Sequence, residues 1–203
     1  MPADVQRLFA PGPVRVPERI LQALARPLVH HRTPEFARVM AELRERLPRI
    51  FQTPGWESLV FCCSGTGAME GAVANFMPRG SAAITVSNGK WGERWTQILR
   101  IYGCIVHELK LPWGKVCTPE LLRACLAEHP SVRAVFLTSA DTSTGVVNPI
   151  SELCQLIRKS CDALVIVDSI CDVGGVDLRP LEWRADVVIG ASQKCLMCPP
   201  GLG

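Results

Sequence analysis

"ADVVIGASQK", residues 185–194, is a near-continuous apolar run, interrupted at Asp186, that turns polar and ends on a lysine. Lysine is among the residues least often buried, so one at the end of a strand-like segment needs a reason. The run itself does not alternate. A strand wetted on one face alternates apolar and polar residues, whereas a strand covered on both faces reads as a continuous apolar stretch. Working outward, "SLVFCC" (58–63), "SAAITVS" (81–87), "CIVHEL" (104–109), "VRAVFLTS" (132–139) and "ALVIVD" (163–168) read the same way, and 185–192 is the last of the series. Helical segments are predicted between them at 66–77, 90–102, 119–129 and 150–161. Two more precede them, at 17–25 with Pro17 in its first turn and at 34–51 with Thr33 as N-cap. Strand and helix in alternation predict an α/β fold: a doubly wound, mostly parallel sheet with helices on both faces.

Composition agrees with a globular chain. Of 203 residues, 48% are hydrophobic and 20% charged, with a net charge of +3. No basic run is long enough to suggest nucleic acid; the densest patch, Arg26, His30, His31 and Arg32, reads as a solvated surface. No apolar stretch has the length of a membrane span, and the start of the chain lacks the pattern of a secretory signal. The ten cysteines fall mostly inside strand-like and helix-like segments, which suggests free thiols and a cytoplasmic location. Cys195 and Cys198 form a CxxC with no second pair to complete a zinc site, so no metal is expected. Residues 1–18, rich in proline and glycine, read as an N-terminal arm, and 19–203 as one large domain.

In doubly wound sheets, ligands bind beyond the carboxyl ends of the strands. Four features fall there: Ser64-Gly65-Thr66-Gly67, Asp141-Thr142-Ser143-Thr144-Gly145, Asp168, and Gln193-Lys194. The first is a small-residue turn opening a helix, which either cradles a phosphate on free N–H groups or is an ordinary tight turn. It is neither a Walker P-loop, since GK[ST] is missing, nor GxGxxG, since Glu70 takes the place of the third glycine. That absence also weighs against a dinucleotide-binding protein. Asp168 is an N-cap, a metal ligand or the partner of a cationic ring nitrogen; a divalent metal asks for more oxygens than one carboxylate supplies. Lys194 either snorkels to solvent or is a Schiff-base amine. A cofactor with a carbonyl, a phosphate and a pyridine nitrogen uses all three groups at once, and pyridoxal 5'-phosphate is that cofactor. Trp91, after the second strand, is then either a core residue beside Trp95 or a plate stacked on the ring.

"SGTGAME", "NGKWGERW", "DTSTGVVNPI", "VDSICDVGGVDL" and "GASQKCLMCPPGL", in this order, resemble class V aminotransferases, in particular the alanine–glyoxylate and serine–pyruvate aminotransferase branch. The opening "LFAPGPVRVPERILQAL" and "HHRTPEFARVM" are similar as well, so the resemblance runs from about residue 8 to the end. It implies a transaminase of PLP fold type I that moves an amino group from a small amino acid of the alanine or serine type to a 2-oxo acid such as glyoxylate or pyruvate. By the same resemblance, Lys194 forms the internal aldimine and Asp168 pairs with the pyridine nitrogen. Thr66, Gly67 and Ala68 hold the phosphate with Gln193. Trp91 stacks on the ring, Thr142 bonds the phenolic oxygen with Ser143 beside it, and Gly12 lies near the substrate carboxylate.

The resemblance also implies a homodimer with a shared active site. It further implies a continuation of similar length that carries the substrate-carboxylate arginine. The chain is thus expected to be an N-terminal fragment whose own activity is open and in which a peroxisomal signal at a true C-terminus would not be seen. Departures are Asp141 where the family usually has glutamate, and Cys171 and Asp172 where it has smaller residues. Lyases and desulfurases share the scaffold, but desulfurases carry histidines where Gln193 and Trp91 stand, which favours transamination.

Overall fold

The computed structural model describes residues 7–203. Five parallel strands form the central sheet: β1 (Ala82–Ser87), β2 (Ile105–Lys110), β3 (Ala134–Thr138), β6 (Leu164–Asp168) and β7 (Val187–Ile189), in the order β2-β1-β3-β6-β7. A two-stranded antiparallel hairpin, β4 (Ala140–Asp141) and β5 (Val146–Val147), projects beyond the end of β3. The helices are α1 (Glu18–Leu24), α2 (Pro34–Ile50), α3 (Gly65–Phe76), α4 (Lys90–Ile101), α5 (Pro119–Glu128), α6 (Ile150–Ser160) and the single turn α7 (Pro180–Trp183). None of the described helices is long and apolar enough to cross a membrane.

The apolar runs are unbroken because successive side chains enter different cores. Ala134 and Phe136 of β3 pack with Met69 and Val73 of α3 and Trp95 and Leu99 of α4, and the Trp95 and Phe136 rings lie 4.8 Å apart. Val135 and Leu137 face the other way, onto Leu122 of α5 and Leu153 and Ile157 of α6. The sheet is therefore covered on both faces, which fixes the direction of each strand and sends all the carboxyl ends to one edge.

Two helix starts follow the expected chemistry. Thr33 accepts a hydrogen bond from the Phe36 N–H, with Pro34 in the first turn of α2. Ser64 does the same for Gly67 in α3. Phe36, Met40, Leu43, Leu47 and Phe51 lie along one half-buried stripe, but no residue of α1 or α2 is fully buried.

One expected strand is absent. Residues 58–63 are extended but form no ladder. Phe61 alone exchanges two backbone bonds with Gly203, at 2.8 and 3.1 Å, and the chain then curls as Cys63 N–H donates to the Phe61 carbonyl. Leu59 is 64% exposed and Phe61 47%. Apolar, β-branched residues suit a pleated surface but do not provide the neighbouring strand that makes one.

A buried amide pair fastens the hairpin to the sheet. Asn148 donates to the Thr138 carbonyl at 2.8 Å, and its Oδ1 accepts from Asn88 Nδ2 at 2.8 Å and the Cys117 N–H at 3.0 Å. Asn148→Ala strands three buried polar groups, and urea unfolding should show a loss of roughly 3 kcal/mol. A loss under about 1 kcal/mol would mean that water takes over these bonds.

Candidate active site

The strand order reverses between β1 and β3, and the loops after these strands bound the crevice where ligands bind in such sheets. Trp91 emerges from one side, in the first turn of α4, and Thr142 from the other, in the hairpin. They meet: the Trp91 indole Nε1–H donates to Thr142 Oγ1 at 2.9 Å. Trp91 is half-buried, while Trp95, one turn on, is wholly buried, so the two tryptophans divide the roles of site and core.

Further along the edge, β6 ends on Asp168, which is 4% exposed. Its Oδ1 accepts from the Ile170 N–H at 2.9 Å, its single hydrogen bond among the described residues. Burial pushes its carboxyl up to about 7; the Asp172 and Asp141 carboxylates add to the rise, and the Ile170 N–H and Lys194 oppose it. Asp172 is itself buried and raised, with Ser139 Oγ donating to it at 2.5 Å. The edge thus holds a carboxylate that is costly to ionise until a cation arrives.

Lys194 lies just beyond β7 and is 8% exposed, and among the described residues no carboxylate comes within 4.0 Å of its amine. Its loop is held on several sides. Lys194 and Ser192 carbonyls accept from Met197 and Cys198 N–H, each at 2.9 Å, and Ser192 Oγ donates to the Pro199 carbonyl at 2.6 Å. The arm crosses above it: Val14 N–H donates to the Gln193 carbonyl at 3.1 Å, and Gly12 comes so near that a Cβ there would lie 2.7 Å from Lys194 Nζ. The atoms met there are the flexible end of the lysine side chain, so the approach brings the arm and the amine together.

The start of α3 closes the group. A Cβ on Gly65 would lie 2.8 Å from Ile170 and 3.2 Å from Ala191, so this turn is wedged between the loops that carry Asp168 and Lys194. Thr66, Gly67 and Ala68 are half-buried; Ser64 already engages the N–H groups of Gly67 through Oγ at 3.2 Å and of Ala68 through its carbonyl at 3.1 Å. Gln193 presents a buried Oε1 with no partner among the described residues. Cys171 joins the two halves, its thiol 3.8 Å from Thr142 Oγ1 and pushed up by burial.

Every residue singled out in the sequence therefore lies on this edge. Three features were not singled out: the bonds that Asp141 makes, the buried Ser139–Asp172 pair, and the absence of any partner for Asp168 except one amide. A short loop carboxylate followed by two hydroxyl residues was a signal for the first; nothing in the sequence signalled the others.

These residues suit pyridoxal phosphate. The buried, nearly unpartnered Asp168 carboxylate asks for a cation at the depth of a ring nitrogen, and the enclosed Lys194 amine stands on the same edge.

Known proteins resemble this chain along nearly its whole length. The chain is 38% identical over 202 residues to the small subunit of a soluble hydrogenase from a Synechococcus strain, a match covering 98% of this chain and 52% of that protein. It is 34% identical over 198 residues to the alanine–glyoxylate aminotransferase of Drosophila melanogaster, covering 96% of this chain and 49% of that protein. The crystal structure of ureidoglycine–glyoxylate aminotransferase from Bacillus subtilis superposes with a TM-score of 0.93 at 30% identity, covering 100% of this chain and 52% of that one. The chain thus spans about half the length of the relatives it matches. The aminotransferase class-V family profile matches residues 15–203, nearly the whole chain, and the chain therefore belongs to the class V aminotransferases.

Proposed function

We propose that this chain is the cofactor-binding part of a pyridoxal-phosphate-dependent transaminase that moves an amino group from a small amino acid to a 2-oxo acid such as glyoxylate or pyruvate. The observation that carries this reading is the pairing of an enclosed lysine with an enclosed, cation-seeking aspartate at neighbouring strand ends. The glyoxylate aminotransferases among its relatives support the acceptor.

Bound pyridoxal phosphate supplies an aldehyde that condenses with amines and a ring that draws electrons. Lys194 would supply the amine that holds the cofactor and the base for the proton on the substrate Cα. A lysine is a base only when uncharged. Asp168 holds a proton at the ring nitrogen, where its buried charge is balanced rather than penalised. Thr66, Gly67, Ala68 and Gln193 receive the phosphate at the start of α3, where the helix dipole favours an anion. Trp91 lies against the ring and Thr142 bonds its phenolic oxygen. Gly12 leaves room above Lys194 for the substrate carboxylate.

The test is capture. The chain is incubated with pyridoxal phosphate, reduced with borohydride, digested and examined by mass spectrometry. Among its five lysines, the adduct is expected at Lys194. A folded chain with no adduct, or with adducts spread over Lys90, Lys110, Lys115 and Lys159, would overturn the reading. Amino transfer from alanine to glyoxylate, measured on the same preparation, separates a complete enzyme from a unit that only binds the cofactor.

Two further parts belong to this proposal. The chain pairs with a second copy through its arm and first helices, whose Phe9, Leu24 and Leu28 are exposed by 90, 62 and 101%; sedimentation should report a dimer. It works in a reducing, cytoplasmic compartment, which suits ten cysteines that all stand as free thiols.

A further inference from the structure

Helix α4 starts after Gly89, which has no side chain with which to cap it. Its first amides are met from the hairpin instead. The Lys90 N–H donates to Ser143 Oγ at 3.0 Å and the Trp91 N–H to Asp141 Oδ2 at 2.9 Å. The other oxygen of the same carboxylate, Oδ1, accepts from the Ser143 N–H at 2.9 Å and from Ser143 Oγ–H at 2.5 Å. Asp141 is 1% exposed, so its charge rests on these donors and on the positive end of α4. There is no slack around it: a Cβ on Gly89 would run into the carboxylate, 2.8 Å from Oδ1.

We propose that Asp141 is a positioning residue: its carboxylate ties the hairpin to the start of α4 and thereby holds the indole of Trp91 and the hydroxyl of Thr142 in one relative orientation. The argument is geometric. Trp91 and Thr142 come from opposite sides of the switch point, 51 residues apart in the chain, and a single side-chain bond joins them. One bond leaves two rotatable side chains free to part. The backbone of each is fixed by Asp141: it accepts directly from Trp91, and the turn that follows it closes on its Oδ1 through the Ser143 N–H, with Thr142 between. An amide in place of the carboxylate offers one acceptor, so it can satisfy Trp91 or Ser143 but not both.

Exchange of the Trp91 indole N–H, followed by NMR on 15N-tryptophan protein without cofactor, reads this directly. In Asp141→Asn it should exchange roughly tenfold faster, the size expected for losing one net hydrogen bond. Thr142→Val, which removes the acceptor itself, sets the scale. Ser143→Ala, which leaves the carboxylate bonded to both backbone amides, should exchange as wild type does. Should Asp141→Asn fail to fold, Gly89→Ala presses on the same carboxylate and should loosen the indole likewise. Wild-type protection in either folded variant would overturn the proposal. That the fixed pair faces a pyridine ring rests on the function proposed above. With pyridoxal phosphate bound, Asp141→Asn should weaken the visible circular dichroism of the cofactor. A wild-type chain with a protected indole that binds no pyridoxal phosphate would refute that function and leave the positioning role standing.

Discussion

Replacing Asp168 by asparagine should make the cofactor-free protein more stable at pH 8, by about 4 kcal/mol, and leave its stability at pH 4 nearly unchanged. The carboxyl of Asp168 is raised from 3.8 to about 7, chiefly by burial. At about 1.4 kcal/mol per pH unit, that rise corresponds to roughly 4 kcal/mol. The sign follows from proton uptake. Below pH 3.8 the group is protonated in both the folded and unfolded chains, and the penalty is absent. Between 3.8 and about 7 the folded chain holds a proton that the unfolded chain has released, so stability falls as pH rises. Above about 7 the full penalty stands. Asparagine keeps an acceptor for the Ile170 N–H and never ionises. Urea unfolding of both proteins at pH 4, 6 and 8 checks this; an equal gain at every pH would mean that the effect is packing rather than charge. On the function proposed above, the same variant should bind pyridoxal phosphate more weakly, because the residue that destabilises the empty site would also be the one that meets the ring nitrogen.

Lys194→Ala should abolish the borohydride-fixed adduct altogether, with no lysine taking over. The nearest candidates by sequence, Lys159 and Lys115, arise from the end of α6 and from a loop beyond β2, and neither lies at the carboxyl ends of β6 and β7. The loss is total because covalent capture needs an amine at one place, the carboxyl ends of β6 and β7, whereas Lys90 stands at the start of α4 beyond β1. The change is cheap for the fold: the loop around residue 194 is held by backbone bonds and by Ser192, and among the described residues the lysine amine makes no ion pair. Near-wild-type unfolding with no adduct is therefore expected. An adduct persisting at wild-type yield would show that capture happens elsewhere.

The alternation of apolar runs with helical segments was enough to place β1, β2, β3, β6 and β7 within a few residues, because burial on both faces leaves a pattern that needs no tertiary information. Residues 58–63 had the same pattern and no ladder, since pairing depends on a neighbour that local sequence does not encode. The hairpin of β4 and β5 was missed because two-residue strands carry no period, and α7 because a single turn carries none either. In the site, Lys194 and Asp168 were legible since each interrupts an apolar run at its carboxyl end. The bond from Trp91 to Thr142 and the approach of Gly12 to Lys194 were not legible from spacing, because both join segments far apart in the chain.

The all-parallel sheet has a consequence in time as well as in space. No pairing within it is made by a hairpin: Ala82 pairs with Ile105, Ala83 with Ala134, Ala134 with Leu164, and Ile166 with Val187. Each contact closes a long loop before its bonds form, which makes folding of such sheets slow. Lys194 arrives with β7 and Asp168 with β6, so a chain that has not yet joined these strands holds no half-built site. The two groups therefore come to one edge only once β6 and β7 have paired, a contact that closes the shortest of these loops.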